Sequence, residues 1–314
     1  MPHELEQDLR HVLEHTGAVW EELAGSNILI TGGSGFVGSW LLESFVWANH
    51  RFKLNLRPTI LTRDPSRLRL AGLDILHGNL HTVSFPAKEF QYVIHAAAES
   101  VEGTRRVLEM ARKHGTRRFL FTSSGAVYGE QPSYVQKIEE DYAGIANTEY
   151  GQAKTESESL CAGAAGSGLG VVIARLFAFS GPYLPLNANF AIGNFVRDAC
   201  IGGPIRVQGD GTPFRSYLYA ADLAIWLWTL LVKGISARPY NVGSDQAISI
   251  LDLAKTVERV CGIERGIVVA ESAKPGAEAK RYVPSIERAR AELGLASLIP
   301  LEEGIRRMFQ FSMK

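Results

Sequence analysis

Between Asn27 and Gly38 the chain reads N-I-L-I-T-G-G-S-G-F-V-G, a short apolar run that enters a stretch where four of seven residues are glycine and leaves as an apolar helical segment. Few folds accommodate this. A tight turn, a close backbone approach to a bound group and close packing of a helix on a strand each exclude a Cβ, and glycine meets all three demands. Gly33, Gly35 and Gly38 satisfy G-x-G-x-x-G, while Gly32, Gly35 and Gly38 satisfy the variant with two-residue gaps. A strand that turns on glycines into a helix N-terminus offers backbone N–H groups and the positive end of a helix dipole to an anion, which suits the pyrophosphate of a dinucleotide. Gly32, Gly35, Phe36, Val37 and Gly38 are therefore expected at the cofactor.

The same periodicity repeats downstream. The runs PTILT, YVIHAAA, RFLFTSS and GVVIARLFAF alternate with helical segments such as VEGTRRVLEMARKHG and the one that begins near Tyr150. Alternation of this kind predicts an α/β fold, a doubly wound parallel sheet of Rossmann type covered by helices on both faces. After Gly181 and Pro182 the pattern becomes irregular, and a smaller C-terminal substrate-binding lobe is expected. The expected division is an N-terminal helical arm over 1–25, a dinucleotide-binding domain over 26–180 joined by about 217–243, and the lobe over 181–216 and 244–314. In the arm, Leu5, Leu9, Val12, Leu13, Trp20 and Leu23 recur at helical spacing, which reads as an arm packed on the body, with a partner-binding helix as the alternative.

Charge excludes some roles. The 33 Lys and Arg residues balance 33 Asp and Glu, so no general field favours nucleic acid or a membrane surface. Cys161, Cys200 and Cys261 lie far apart, which suggests neither a disulfide framework nor a metal site. The N-terminus lacks the basic start and apolar run of a signal peptide, and no stretch approaches the ~18 apolar residues of a membrane span. A cytoplasmic location is expected.

Chemistry enters at two further places. The strand PTILT ends in Thr62, Arg63 and Asp64, where an acidic residue would read the ribose hydroxyls of NAD and a cation would neutralise a 2′-phosphate. Arg63 tilts the expectation toward NADP(H) over NAD(H), although a one-residue shift would put Asp64 there instead. Tyr150 and Lys154 form Y-x-x-x-K, which places phenol and ammonium on one helical face. A phenol titrates near ~10, so a base working near neutral pH needs a shift of about three units, roughly 4 kcal/mol, and a neighbouring cation supplies it. Ser123 and Ser124 end the strand RFLFTSS, at the edge where doubly wound sheets bind ligands.

Taken together, T-G-G-S-G-F-V-G, H-A-A-A (95–98), S-S-G-A-V-Y-G (123–129), Y-G-Q-A-K and R-S-Y-L-Y-A-A-D (215–222) resemble the extended short-chain dehydrogenase/reductases, specifically the NAD(P)-dependent nucleotide-sugar epimerase/dehydratase family. Y-N-V-G-S (240–244) and R-A-R-A-E-L-G (288–294) continue the likeness. The resemblance implies that Tyr150 is the acid/base, that Lys154 lowers its pKa and holds the nicotinamide ribose, and that Ser124 polarises the reacting oxygen. It implies Arg215, with Asn189, on a substrate diphosphate, and Asn79, Leu80, Ala96, Ala97 and Ala98 beside the cofactor. His95 reads as structural. A homodimer through the helices near Val101 and Tyr150 is a further implication.

Departures from that family narrow the chemistry. Its 4,6-dehydratases follow the hydroxyl residue with an Asp-Glu pair, and here Gly125 and Ala126 stand there; the glutamate of related decarboxylases is missing too. What remains suits hydride and proton exchange at one carbinol, as a C4 epimerase or a 4-ketosugar reductase requires. Ala178 replaces the family's substrate-binding Asn, and helix VEGTRRVLE follows Ser100 directly where relatives carry a longer loop. Reduction of a non-nucleotide ketone or aldehyde, and a non-catalytic dinucleotide-sensing scaffold, are the alternatives.

Overall fold

The computed structural model describes residues 4–314 apart from 57, 69, 71, 98, 99 and 167. Its centre is a seven-stranded parallel sheet. β1 (Ile28–Thr31), β2 (Pro58–Thr62), β3 (Asp74–His77), β4 (Tyr92–His95), β5 (Arg118–Ser124) and β6 (Gly170–Leu176) are joined by the strand Pro239–Val242. From that last strand the order runs β6, β5, β4, β1, β2, β3, so the winding reverses between β1 and β4. Ile30 of β1 lies level with Ile60 of β2 and Ile94 of β4. A crevice opens beyond the carboxyl ends of strands at such a reversal, where Thr31, His95 and Ser124 emerge.

Strand alternation divides the interior into two cores. Ile28, Ile30, Ile60, Ile94 and Leu120 face one of them, while Leu29, Leu61, Val93, Phe119 and Phe121 face the other. The first core receives α1 (Glu6–Leu23) and α2 (Phe36–Phe52), and the second receives α3 (Val101–Lys113) and α4 (Glu149–Ala164). Both faces being covered explains why β1, β2 and β4 are buried along their whole length.

After α5 (Ala191–Cys200), α6 (Ala220–Lys233) explains the arm. Its sequence AADLAIWLWTLLVK is apolar around almost its whole circumference, and every residue from Ala220 to Val232 is buried. Such a helix needs cover on its far side, and α1 provides it with Leu9, Val12, Val19, Trp20 and Leu23. Trp20 packs on Trp228 with ring centres 4.8 Å apart. Polar contacts fix the register: Tyr219 Oη donates to Asp8 at 2.7 Å, Arg307 also reaches Asp8, and His11 Nε2 meets Asp222 at 2.9 Å. The arm's apolar stripe is thus occupied within the chain.

A third core lies in the C-terminal part, where α5 and the helices Ile250–Cys261 and Leu301–Ser312 bury Ile192, Phe195, Leu253, Val257, Ile305 and Met308. Beside it the strand Phe214–Arg215 pairs antiparallel with Ile248–Ser249 and parallel with Arg281–Tyr282. This small sheet carries side chains to the crevice.

Candidate active site

The glycine loop follows its expected geometry. Gly32 adopts φ +75°, and a Cβ on it would stand 2.7 Å from the Ala96 carbonyl and the Ala97 nitrogen. On Gly38 a Cβ would stand 2.2 Å from the Gly32 carbonyl oxygen, so α2 could not approach the turn. Gly35 caps α2 without any side-chain hydrogen bond, which leaves the first-turn N–H groups directed at the crevice. Loop and helix end therefore fit a dinucleotide pyrophosphate.

A single cavity of about 920 Å³ extends from this loop to the small C-terminal sheet. It gathers Gly32, Gly35, Phe36, Val37, Gly38, Arg63, Leu80, Ala96 and Ala97 with Ser124, Tyr150, Lys154, Asn189 and Arg215. Asn79 is not in its lining. The Asn79 Oδ1 is turned into its own loop, where it accepts from the backbone N–H groups of His81 and Thr82 at 2.9 and 3.0 Å. Ala98 lies outside the described residues.

At the β5 end of the cavity the geometry begins with Thr148, whose hydroxyl caps α4 by accepting from Gly151 N at 3.0 Å. Tyr150 follows in the first turn with 52% of its surface exposed, and Lys154 lies one turn later, 5% exposed. The ammonium donates to the Thr122 carbonyl at 2.9 Å and sits 4.8 Å from the Phe121 ring and 5.9 Å from the Tyr150 ring. Its hydrogen-bond partner is thus the β5 backbone and not the phenol oxygen. Burial pulls the Lys154 pKa down to about 8. Ser124 closes β5, its Oγ accepting from Ala126 N at 3.2 Å.

Below these groups runs a buried network that sequence reasoning missed. Glu158, one turn beyond Lys154, accepts from Ser123 Oγ at 2.5 Å and from Arg175 Nε and Nη2 at 3.0 and 2.7 Å. Arg175 continues to Tyr128 Oη at 2.8 Å, and that hydroxyl donates to Asn241 at 2.7 Å. The helix bearing Tyr150 and Lys154 is thereby tied to β5 and β6. The spacing Tyr150, Lys154, Glu158 is the signal that could have revealed it. His95 is a brace: its ring lies 2.7 Å from Thr31 Oγ1 and 3.1 Å from Thr104 Oγ1, and burial, aided by the Lys154 charge, pulls its pKa down to about 3.

Two more lining residues had escaped notice. Arg67 joins Arg63 at the end of the cavity farthest from Ser124, and Tyr282 enters from the small C-terminal sheet. Asp64 is the one carboxylate among the described lining residues, and it belongs to the Arg63 end. No cluster of three or more potential metal ligands occurs among the described residues.

The sequence profile of the NAD dependent epimerase/dehydratase family matches residues 28–243. The chain belongs to that family. It is accordingly an NAD(P)-dependent enzyme of the extended short-chain dehydrogenase/reductase type. This family member is 28% identical over 312 residues to UDP-glucuronic acid decarboxylase 1 of Xenopus tropicalis, covering 91% of this chain and 72% of the relative. In fold it is similar to UDP-glucose 4-epimerase of Thermotoga maritima solved with UDP-glucose, with TM-score 0.78 and 22% identity over 91% of this chain and 98% of that one. It is also similar to dTDP-glucose 4,6-dehydratase of Bacillus anthracis in complex with NAD, with TM-score 0.77 and 19% identity over 92% and 96% of the two chains.

Proposed function

We propose that this enzyme exchanges a hydride and a proton at C4 of a nucleotide-linked sugar, as an epimerase or a 4-ketosugar reductase, with segments 181–216 and 244–314 forming its substrate lobe. One observation carries the reading: Ser124, Tyr150 and Lys154 line the cavity together, while that end holds no carboxylate among the described residues. Loss of water across two carbons needs an acid and a base of its own, and Gly125 and Ala126 supply neither.

Bound dinucleotide supplies the hydride acceptor and donor, and the remaining work falls to the chain. Tyr150 Oη takes the proton of the C4 hydroxyl in the oxidative direction and returns it to the carbonyl oxygen in the reductive one. The Lys154 cation favours the phenolate that does so. Ser124 Oγ donates a hydrogen bond to the same oxygen, and Arg215 with Asn189 holds the diphosphate.

Incubation with UDP-glucose, its C4 epimer, UDP-glucuronic acid and a 4-keto-6-deoxy sugar nucleotide tests this. Interconversion of the epimers without net cofactor consumption identifies the epimerase, and cofactor oxidation by the keto sugar identifies the reductase. Release of carbon dioxide from UDP-glucuronic acid, or of water from a 6-hydroxy sugar, overturns both.

We infer NADP(H) over NAD(H) from the far end of the cavity. Asp64 carboxylate accepts from Ser66 N at 3.1 Å and Ser66 Oγ at 2.5 Å, so it caps the turn Pro65–Arg67. Arg63, Arg67 and Ser34 line the same end, a set suited to a 2′-phosphate. Titration with 2′,5′-ADP and with 5′-ADP should show the first binding at least ~10-fold more tightly, and Arg67→Ala should erase most of the difference. Equal affinity in the unaltered protein sinks the preference.

We also infer a homodimer, which a pattern on α3 supports. Glu102, Arg105, Glu109 and Arg112 are all exposed and form one stripe. Paired antiparallel with its copy about Val107, the stripe sets Glu102 against Arg112 and Arg105 against Glu109, each twice. Within one chain Glu102 already meets Arg105 at 3.3 Å, and pairing would extend this into a ladder. Exposed pairs are worth ~0.2–1 kcal/mol each and are screened at ~3 Å in 1 M salt, so the dimer should be salt-sensitive. Light scattering should give dimer mass at 50 mM NaCl, falling toward monomer near 1 M and at low salt in Glu109→Arg; a mass unaffected by either change defeats this interface.

A further inference from the structure

Ser124 has a neighbour that the family motifs do not mention. Tyr282 belongs to the short strand Arg281–Tyr282, and its phenol reaches across the cavity to the end of β5. The oxygen lies against Gly125, next to Ser124 in the cavity wall, and it donates weakly to the Leu176 carbonyl at 3.4 Å. Its ring packs on Phe177 at 4.7 Å, and the Arg215 guanidinium lies 5.8 Å from the ring centre. Burial pushes the phenol up to about 12, so it stays neutral.

Gly125 makes room for this contact. A Cβ there would stand 2.7 Å from the Tyr282 hydroxyl and 2.8 Å from the Phe177 ring. Glycine at 125 therefore has a local cause beyond the loss of a titratable side chain, since the space is occupied by a phenol from the other end of the sequence.

We propose that Tyr282 is a positioning residue for Ser124: its oxygen accepts the serine hydroxyl while the site is empty and fixes the rotamer from which that hydroxyl turns to the reacting oxygen. Tyr282 pairs in register with Arg215, so one small sheet carries both the expected diphosphate grip and the partner of the catalytic serine. Seating of a diphosphate on Arg215 is thereby linked to the orientation of Ser124.

The proposal rests on the C4 reading above, and a double-mutant cycle separates the two. On whichever sugar nucleotide of the panel is turned over, Tyr282→Phe should lower kcat about tenfold, with KM within about twofold and the thermal midpoint and NADPH affinity unchanged. On a Ser124→Ala background the same change should cost nothing further. Unaltered kcat in Tyr282→Phe, or a second tenfold loss on that background, overturns the proposal. A Tyr150→Phe control that stays active defeats the C4 reading itself. A substrate-free measurement keeps the contact testable: with 13Cζ-labelled tyrosine, the resonance lost in Tyr282→Phe should move in Ser124→Ala and in Gly125→Ala. A resonance that stays put in both overturns the contact.

Discussion

Tyr150→Phe should reduce turnover about 10³-fold, within the 10²–10⁴ range that a positioned proton carrier contributes. The change removes one oxygen from a half-exposed side chain whose ring stays available to Lys154, so folding should be undisturbed. NADPH titration by fluorescence should give the same affinity before and after. The combination discriminates, because damage to the helix would weaken cofactor binding and activity together. A variant within tenfold of the parent rate would remove the phenol from the acid/base role and leave Ser124 or a bound water to carry the proton.

The second large effect concerns stability. Glu158→Ala should cost about 3–5 kcal/mol in urea unfolding at neutral pH, the usual result of leaving one member of a buried ion pair alone. Both partners are largely buried, and Arg175 is held by two of its nitrogens. Burial works against the Arg175 cation, yet the hydrogen bonds and charge of Glu158 outweigh it and keep its pKa above the ordinary arginine value. Removing the carboxylate also orphans the Ser123 hydroxyl beside Ser124. Because the pair anchors α4, turnover should fall as well. A loss below about 1 kcal/mol would show that the network is solvated or relaxes freely, and its anchoring role would be lost.

Much of this was legible from residues alone, for local reasons. Gly32 and Gly38 announce themselves because their constraints come from atoms within a few positions or on the adjoining strand. Tyr150 and Lys154 are legible because four residues bring them to one helical face. The strands read correctly because a period of two on a two-sided core leaves apolar residues at every position, and both faces of β1 are filled.

Other features depended on where distant chain returns. Glu158 and Arg175 meet across two elements, and Tyr282 reaches the Leu176 carbonyl and Gly125 from a strand of two residues that has no periodicity to read. Local side-chain chemistry explains the remaining differences. Asn79, expected beside the cofactor, is not in the cavity lining, and its amide oxygen accepts from backbone N–H groups two and three residues ahead. Asp64 behaves likewise at the next turn, where it accepts from Ser66. Lys154 reaches the Thr122 carbonyl because a buried ammonium needs an acceptor, and β5 offers one at closer range than the phenol does.

The packing of α1 on α6 also bears on how the chain reaches its native state. Asp8 and His11 find their partners 211 positions away, and Arg307 closes on Asp8 from 299 positions away. During synthesis Trp20 and the leucines of α1 cannot be fully covered until α6 has followed them. Completion of the first core is therefore a late event governed by long loop closure, and the interval before it is when nascent chains are most exposed to self-association.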